Sequence, residues 1–481
     1  MSAWRERLAA DEWKWVLTLS LLALGLRAGY VLTQQRGFYF EDSLDYDRAA
    51  RAFLDTGHFD PRYYRFPLYP LFMAWSYKFF GVGLTPFRLL QALLGTGTCL
   101  FAWAIARRLF GITTGLLTLF GASVFPVHIV LAGIEYPVSP GTFLIWLVLW
   151  ILIVRDQSDT KSIMLLVAAG VGAGLCAMLF EGGLALFLFM LLSIGIRPVP
   201  WRSRLGDVGI LVLGSLLLLG PWIFTMVRSG DYRPLILKAG IHLPTAPGVN
   251  PPVWAGSGEN LAESKLAGLA QNPGWTVRHF GWEFLHFWNP YPDRLASADS
   301  KFRVEAHDRD ARMVVNNVLV GDLPRILYAV GYGTLLIAAA AGTIAAIRTA
   351  HGAMILALWP VVLGLCYAPF FTQMRYRIPA DPAFIILGAY AVESAVQKTL
   401  WNRIVSFFKA LWEGWKKIAE KIMIFWTFVL LLLLFVLVVG PIALLMKVFR
   451  KDPMHAAMAP GSFWALRDRT REGMEECLRQ F

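Results

Sequence analysis

The sequence predicts an all-α polytopic membrane protein. Of its 481 residues, 57% are hydrophobic and only 16% are charged, where a soluble chain carries about a quarter charged residues. About ten apolar stretches approach the roughly 20 residues that a helix needs to cross a hydrocarbon core of about 30 Å. Basic residues fall in alternate short loops, as they do in multi-pass proteins. The same numbers exclude a water-soluble globular protein and a disordered chain. A net charge of +12 and a pI near 9.6 would suggest nucleic acid in a soluble protein. Here the basic residues sit between apolar runs and form no long stripe, so no nucleic-acid partner is expected.

The first span is expected near 14–33. No small-x-small cleavage motif follows it, so it reads as an anchor and not as a leader. Further spans are expected near 86–107, 112–132, 138–154, 162–180, 183–196, 207–227, 324–347, 353–371 and 379–397. Arg107 and Arg108, Arg155 and Lys161, Arg197, Arg202 and Arg204, Arg348 and His351, and Lys398 and Arg403 then share one side. With the N-terminus inside, that side is cytoplasmic, and a multi-pass protein of the cytoplasmic (inner) membrane is expected. Segments 34–85 and about 228–323 face outward. Residues 42–56 read as a surface helix with Leu44, Ala49, Phe53 and Leu54 roughly on one face, stopped by Gly57. The apolar segment 67–80 is short and contains Pro70 and Lys78, so it reads as interfacial. Prolines 244, 247, 251, 252, 273 and 290 break the second outward segment into an irregular cap with short helices. Its Trp254, Trp275, Trp282, Phe284 and Trp288 argue for order.

The C-terminal region differs. Residues 400–421 are amphipathic, with Trp401, Phe408, Trp412 and Trp415 against Lys409, Lys416, Lys417 and Lys421, a pattern suited to a cytoplasmic membrane face. Residues 422–447 are strongly apolar and interrupted by Gly440-Pro441. Basic residues flank both ends, so charge leaves a span and a re-entrant hairpin equally open.

Three acids, Glu41, Asp42 and Asp45, lie just beyond the first span, and Arg65-Phe66-Pro67-Leu68-Tyr69-Pro70 follows. Acids so placed are either functional or a hydrated helix N-terminus with Asp42 as its cap. Arg375 and Arg377 at a helix end suit a phosphate clamp or headgroup anchoring. Arg27 lies mid-span and is expected to snorkel or to pair inside the bundle. The outward-segment aromatics, with Tyr291, stack on sugar rings or, more commonly for any one of them, anchor at the interface. The histidines (58, 128, 242, 279, 286 and 307 among them) form no metal-type pair, and the four cysteines show no metal-type spacing or disulfide framework. There is neither a P-loop nor a dinucleotide-binding glycine fingerprint.

Asp42, Tyr46, Gly57, Arg65 with Pro67-Leu68-Tyr69, and Arg107-Arg108-Leu109-Phe110-Gly111 together resemble the start of the polyprenyl-phosphate-sugar-dependent glycosyltransferases of the GT-C superfamily. That superfamily includes the protein O-mannosyltransferases and the aminoarabinose lipid A transferases. The resemblance continues at Pro126, Glu135, Pro221-Trp222, Gly230, Phe287-Trp288-Asn289-Pro290 and Arg375-Tyr376-Arg377-Ile378-Pro379, over roughly residues 10–397. It implies a GT-C helical bundle over 1–397, roofed by 34–85 and 228–323; with the C-terminal apolar stretch the chain is expected to hold about 10–11 membrane helices. The implied activity is inverting transfer of a sugar from an undecaprenyl- or dolichyl-phosphate carrier to a lipid, glycan or protein acceptor on the extracytoplasmic face. Asp42 is the implied base. Arg65, Arg375 and Arg377 are the implied phosphate clamps, and Tyr46, Tyr69 and Tyr376 are implied on the substrate side. Glu135 would orient the acceptor or, with Asp42, hold a divalent cation. Two departures stand out: Ser43 replaces the Glu of several relatives, and Glu181 stands where many carry a base. The tail 412–469, within 398–481, weakly resembles a small SxtJ-like membrane protein family. The rival readings are a transporter or lipid flippase, which would need polar groups near the midplane, and a non-catalytic scaffold.

Overall fold

The computed structural model describes residues 10–34, 37–38, 41–59, 63, 65–156, 162–196, 200–229, 243–248, 258–290, 322–347, 351–370, 372–397 and 399–448. Among these the regular structure is helical throughout. The N-terminal part runs α1 (Glu12–Thr33), α2 (Glu41–Thr56), α3 (Leu68–Phe80), α4 (Leu84–Phe110), α5 (Ile112–Val124), α6 (Pro126–Val130), α7 (Val138–Asp156), α8 (Ile163–Leu179), α9 (Gly182–Gly195) and α10 (Trp201–Ser229). Then follow α11 (Gly258–Gln271), α12 (Pro273–Phe287), α13 (Asp322–Ala346), α14 (His351–Tyr367), α15 (Met374–Arg377) with the tight turn Ile378–Ala380, and α16 (Asp381–Val396). Finally α17 (Leu400–Leu434) passes through a widened turn at Phe435–Val439 into α18 (Gly440–Val448).

Two compact units divide the chain, residues 1–404 and 405–481. In the first, α4 packs on α1, α5 and α7, α8 packs on α7 and α10, and α13 packs on α16. Glycines let α8 and α10 approach at backbone distance. A Cβ at Gly170 would lie 2.6 Å from the Leu211 carbonyl, and one at Gly174 would lie 2.7 Å from the Ser215 carbonyl. The Ser215 hydroxyl donates to the Gly170 carbonyl at 3.0 Å. In lipid, where apolar burial supplies little drive, such small-residue seams hold helices together.

Among the described residues six helices are long and apolar enough to cross a membrane, and α5 with α6 and the turn after it, bent by 56°, makes a seventh if the pair is one span. The chain is a multi-pass membrane protein. Two features bear on the spans expected from the sequence. First, 112–132 is broken at Phe125, because Pro126 has no N–H to bond the Ala122 carbonyl four residues back. Arg27 fills that gap from α1. Its guanidinium donates to the carbonyls of Ala122 (3.0 Å) and Ser123 (3.2 Å) and to its own Ala23 (3.0 Å). Arg27 is fully buried; it neither snorkels nor pairs with an acid, but caps a broken helix, where a cation is favoured by the helix dipole. Second, α8, α9 and α14 are apolar but short. At about 1.5 Å per residue they fall below the hydrocarbon thickness. The tight α8–α9 reversal sets their length, with Gly183 against the backbone of Cys176 and Ala177.

The second unit begins within α17. Among the described residues the chain from Leu400 to Val448 runs on without a hairpin. The widened turn spares the hydrogen bond that Pro441 cannot donate. The tail 449–481, with the end of the SxtJ-like stretch, lies outside the described residues, as do 230–242, 249–257 and 291–321 of the outward cap.

Gly174→Leu is expected to force α8 from α10 and to cost about 1–3 kcal/mol, the usual range for overpacking. Gly195→Leu, where a Cβ meets nothing within 4 Å, serves as the matched control. Thermal unfolding in detergent measures both, with a clear fall in melting temperature expected only for the first.

Candidate active site

Helix α2 leaves the first span and presents Asp42 in its first turn. The Asp42 side chain does not cap the helix; it faces two arginines from distant parts of the chain. Arg65 Nη2 donates to Asp42 Oδ1 at 2.5 Å and to Asp45 Oδ2 at 3.2 Å. Arg375 Nη1 lies 3.4 Å from Asp42 Oδ2. The Tyr136 hydroxyl donates to the same Oδ2 and itself accepts from Arg375 Nη1. Asp42 is thus shared by two guanidiniums and a phenol, with its side chain still 28% exposed. Guanidinium and carboxylate match in fork geometry, and partial burial strengthens the pairing.

Each arginine is steered by aromatic faces. Arg65 lies over the Tyr46 ring at 5.5 Å, and Arg375 lies over Tyr136 at 4.8 Å and Tyr376 at 5.2 Å. Arg375 Nη2 also donates to the Tyr376 hydroxyl at 3.3 Å. Burial alone would lower the pKa of Arg375, but Tyr376, Asp42 and Glu181 outweigh it and the net shift is upward. Burial raises the Tyr46 phenol well above its ordinary value. Tyr46 stacks edge-on against Tyr69, with centroids 4.8 Å apart. Both rings are buried, and the Tyr46 ring lies under Arg65. Tyr376 stacks on Tyr367 at 4.4 Å.

The turn that carries Arg375 is fixed from behind. The indole N–H groups of Trp146 and Trp359 both donate to the Pro379 carbonyl at 3.0 Å. The turn that carries Tyr136 is fixed by Glu135. Its carboxylate, fully buried, takes the Arg88 guanidinium, which also donates to the Gly37 carbonyl at 2.7 Å. Ser43 Oγ donates to the Glu135 carbonyl at 2.8 Å, which ties α2 to the same turn. Gln91 accepts from the Tyr69 hydroxyl at 3.0 Å and donates to the Ile134 carbonyl at 2.8 Å. Burial raises the pKa of Glu135, against the opposing pull of Arg88.

Of the residues singled out from the sequence, Asp42, Arg65, Arg375 and Tyr376 come together. Tyr46 lies under Arg65, and Tyr69 packs against Tyr46. Glu135 is taken up with Arg88. Arg377 points elsewhere, over the Tyr332 ring at 3.9 Å and onto the Asn289 and Phe287 carbonyls. Asp42 and Glu135 do not fit a divalent cation: among the described residues no three His, Cys, Asp or Glu side chains gather, and arginines hold both carboxylates. Tyr136 and Arg88 were not read from the sequence. Glu181 was noted only as a departure, yet its charge acts on Tyr46, Arg375 and Tyr376.

Residues 62–224 match the model of the dolichyl-phosphate-mannose-protein mannosyltransferase family. Among solved structures, ArnT from Cupriavidus metallidurans in the apo state aligns at TM-score 0.50 and 17% identity, over 83% of this chain and 63% of that one. The fold is the GT-C fold. ArnT bound to undecaprenyl phosphate aligns at 0.49 and 15%, over 84% of this chain and 63% of that one. The Archaeoglobus fulgidus oligosaccharyltransferase AglB, in complex with an inhibitory peptide and a dolichol-phosphate, aligns at 0.48 and 13%, over 86% and 54%. This chain therefore spans less than two thirds of the length of these solved chains. The search of curated proteins returned no match. In this GT-C bundle the Asp42 cluster draws on α2, the loop before α3, the turn before α7, and α15.

Arg88→Met would leave the Glu135 carboxylate buried and unpaired, a loss of about 3–5 kcal/mol. Adding Glu135→Gln is expected to restore most of it. The single-variant deficit should be smallest at acid pH and grow as pH rises through the raised carboxyl pKa, because protonation removes the unpaired charge. Denaturation of both variants across pH measures this.

Proposed function

We propose that the chain transfers one sugar from a polyprenyl-phosphate carrier to an acceptor hydroxyl at the extracytoplasmic face of the cytoplasmic membrane. The observation that carries this reading is Asp42 held between Arg65 and Arg375. The donor supplies its own leaving group, so the protein has two tasks: to take the acceptor's proton and to hold the departing phosphate. A carboxylate performs the first and guanidiniums the second. The matched family's description, which names a dolichyl-phosphate-linked mannose, supports a donor of this class.

The donor phosphate enters between Arg65 and Arg375 and takes over hydrogen bonds that the arginines otherwise give to Asp42. The carboxylate so released accepts the proton of the acceptor hydroxyl as its oxygen attacks the anomeric carbon. The bond to the phosphate oxygen breaks on the opposite side, which inverts the anomeric centre. Polyprenyl phosphate departs as an anion against the two guanidiniums.

Purified protein in lipid nanodiscs, incubated with a panel of labelled polyprenyl-phosphate sugars, tests the reading. Asp42→Asn is expected to lower turnover by about 10²–10⁴-fold, the range for a lost general base, with the melting temperature near that of the parent. Arg375→Ala should chiefly raise the donor KM. Full turnover by Asp42→Asn removes the base assignment. Vectorial movement of the unmodified lipid without transfer would favour the flippase instead.

A further inference from the structure

Arg375 sits on a single helical turn, and so short an element cannot hold a guanidinium in place by itself. Its neighbours in the chain are gripped on both sides by one helix of the outward cap. Three residues before it, the backbone N–H of Thr372 donates to Glu283 Oε2 of α12 at 2.8 Å, and Thr372 Oγ1 returns a bond to the Glu283 carbonyl at 3.1 Å. Two residues after it, Arg377 donates to the carbonyls of Phe287 (3.5 Å) and Asn289 at the C-terminal end of the same helix. Glu283, Thr372 and Arg377 are all buried. Helix α12 is itself seated on α14, where the Phe287 and Phe284 rings press against Gly364 and a Cβ would lie 3.0 Å from Phe287.

We propose that Glu283 and Arg377 are positioning residues, which make α12 the brace that holds Arg375 where it meets the donor phosphate. The assignment rests on the proposed function and deepens it. Arg377, two positions from Arg375, acts on the cap and not on the phosphate. What Glu283 contributes is an acceptor for the Thr372 N–H, a role an amide oxygen fills as well as a carboxylate. A misplaced guanidinium weakens donor binding, while Asp42, held also by Arg65 and Tyr136, keeps its own geometry. Small displacements of a positioned group are known to cost large factors in rate or affinity.

The test compares Glu283→Ala with Glu283→Gln in nanodiscs. Binding of undecaprenyl phosphate is measured directly, with turnover where the labelled donor is accepted. For Glu283→Ala the Kd for undecaprenyl phosphate and the donor KM are expected to rise about 5–20-fold, with kcat at saturating donor within about threefold of the parent. Glu283→Gln should stay within about twofold in all three. Hydrogen exchange across 372–377 should quicken at least tenfold in Glu283→Ala and not in Glu283→Gln. Parent-like exchange and binding in Glu283→Ala overturn the proposal, as does an equal loss in both variants, which would mean that charge and not the acceptor matters. If the parent protein neither binds undecaprenyl phosphate nor transfers sugar, the functional reading fails. The exchange comparison then still decides whether α12 braces the Arg375 turn.

Discussion

The site depends on one constraint: a carboxylate at the rim of an apolar bundle needs cationic partners, and two guanidiniums meet Asp42 there. Asp42 and Asp45 share Arg65, and Asp42 also has Arg375. The charges nearly balance, so partial burial is tolerable without a ligand. That balance also makes the cluster exchangeable. An incoming phosphate offers the arginines a second anion with the same fork geometry, and whatever they give to it they take from Asp42. On the proposed mechanism, donor binding and exposure of the base are therefore one event.

The remainder of the fold serves to keep these four or five side chains from drifting. Their backbone supports are well separated in sequence, from Asp42 to Arg375, and each is tied by groups that have no other outlet in an apolar setting. The Pro379 carbonyl takes two indole N–H groups, and the turn before Tyr136 is held by the buried Arg88–Glu135 pair. A buried pair of this kind adds little net stability over an apolar replacement. Its use here is geometric, since it fixes the height at which the Tyr136 hydroxyl reaches Asp42.

Much of the fold was legible because hydrophobic length and loop charge are local properties: the edges of α1, α3 and α7 to α9 fall within a few residues of those read from the sequence. What escaped was non-local. Arg27 was expected to snorkel or to pair inside the bundle, and its partners are carbonyls that Pro126 leaves open on another helix. Asp42 and Arg375 were visible as charges beside apolar runs, and the family resemblance singled them out together with Arg65. Arg88 did not, because nothing near it in sequence marks Glu135 as its partner. Arg375 and Arg377 looked equivalent for the same reason. At 3.6 residues per turn, positions two apart face directions about 200° different, so one helical turn can aim only one of them at Asp42.

The same consideration separates the interfacial-chemistry reading from a transport pathway. Carriers need polar groups at the midplane that exchange partners as the cargo moves. The buried charges of this bundle are committed instead: Arg27 closes a helix break, Arg155 pairs with Asp207 at 2.8 Å, and the buried Glu12 is held through both carboxylate oxygens by Arg107. Each holds elements together, and to release any of them would strand a charge or a carbonyl in an apolar medium at a cost of several kcal/mol. The cluster whose partners a phosphate can replace like for like is the one at Asp42, where the side chains retain some access to solvent. On the proposed function, fixed interior charges and an exchangeable cluster at the rim put the chemistry at the rim.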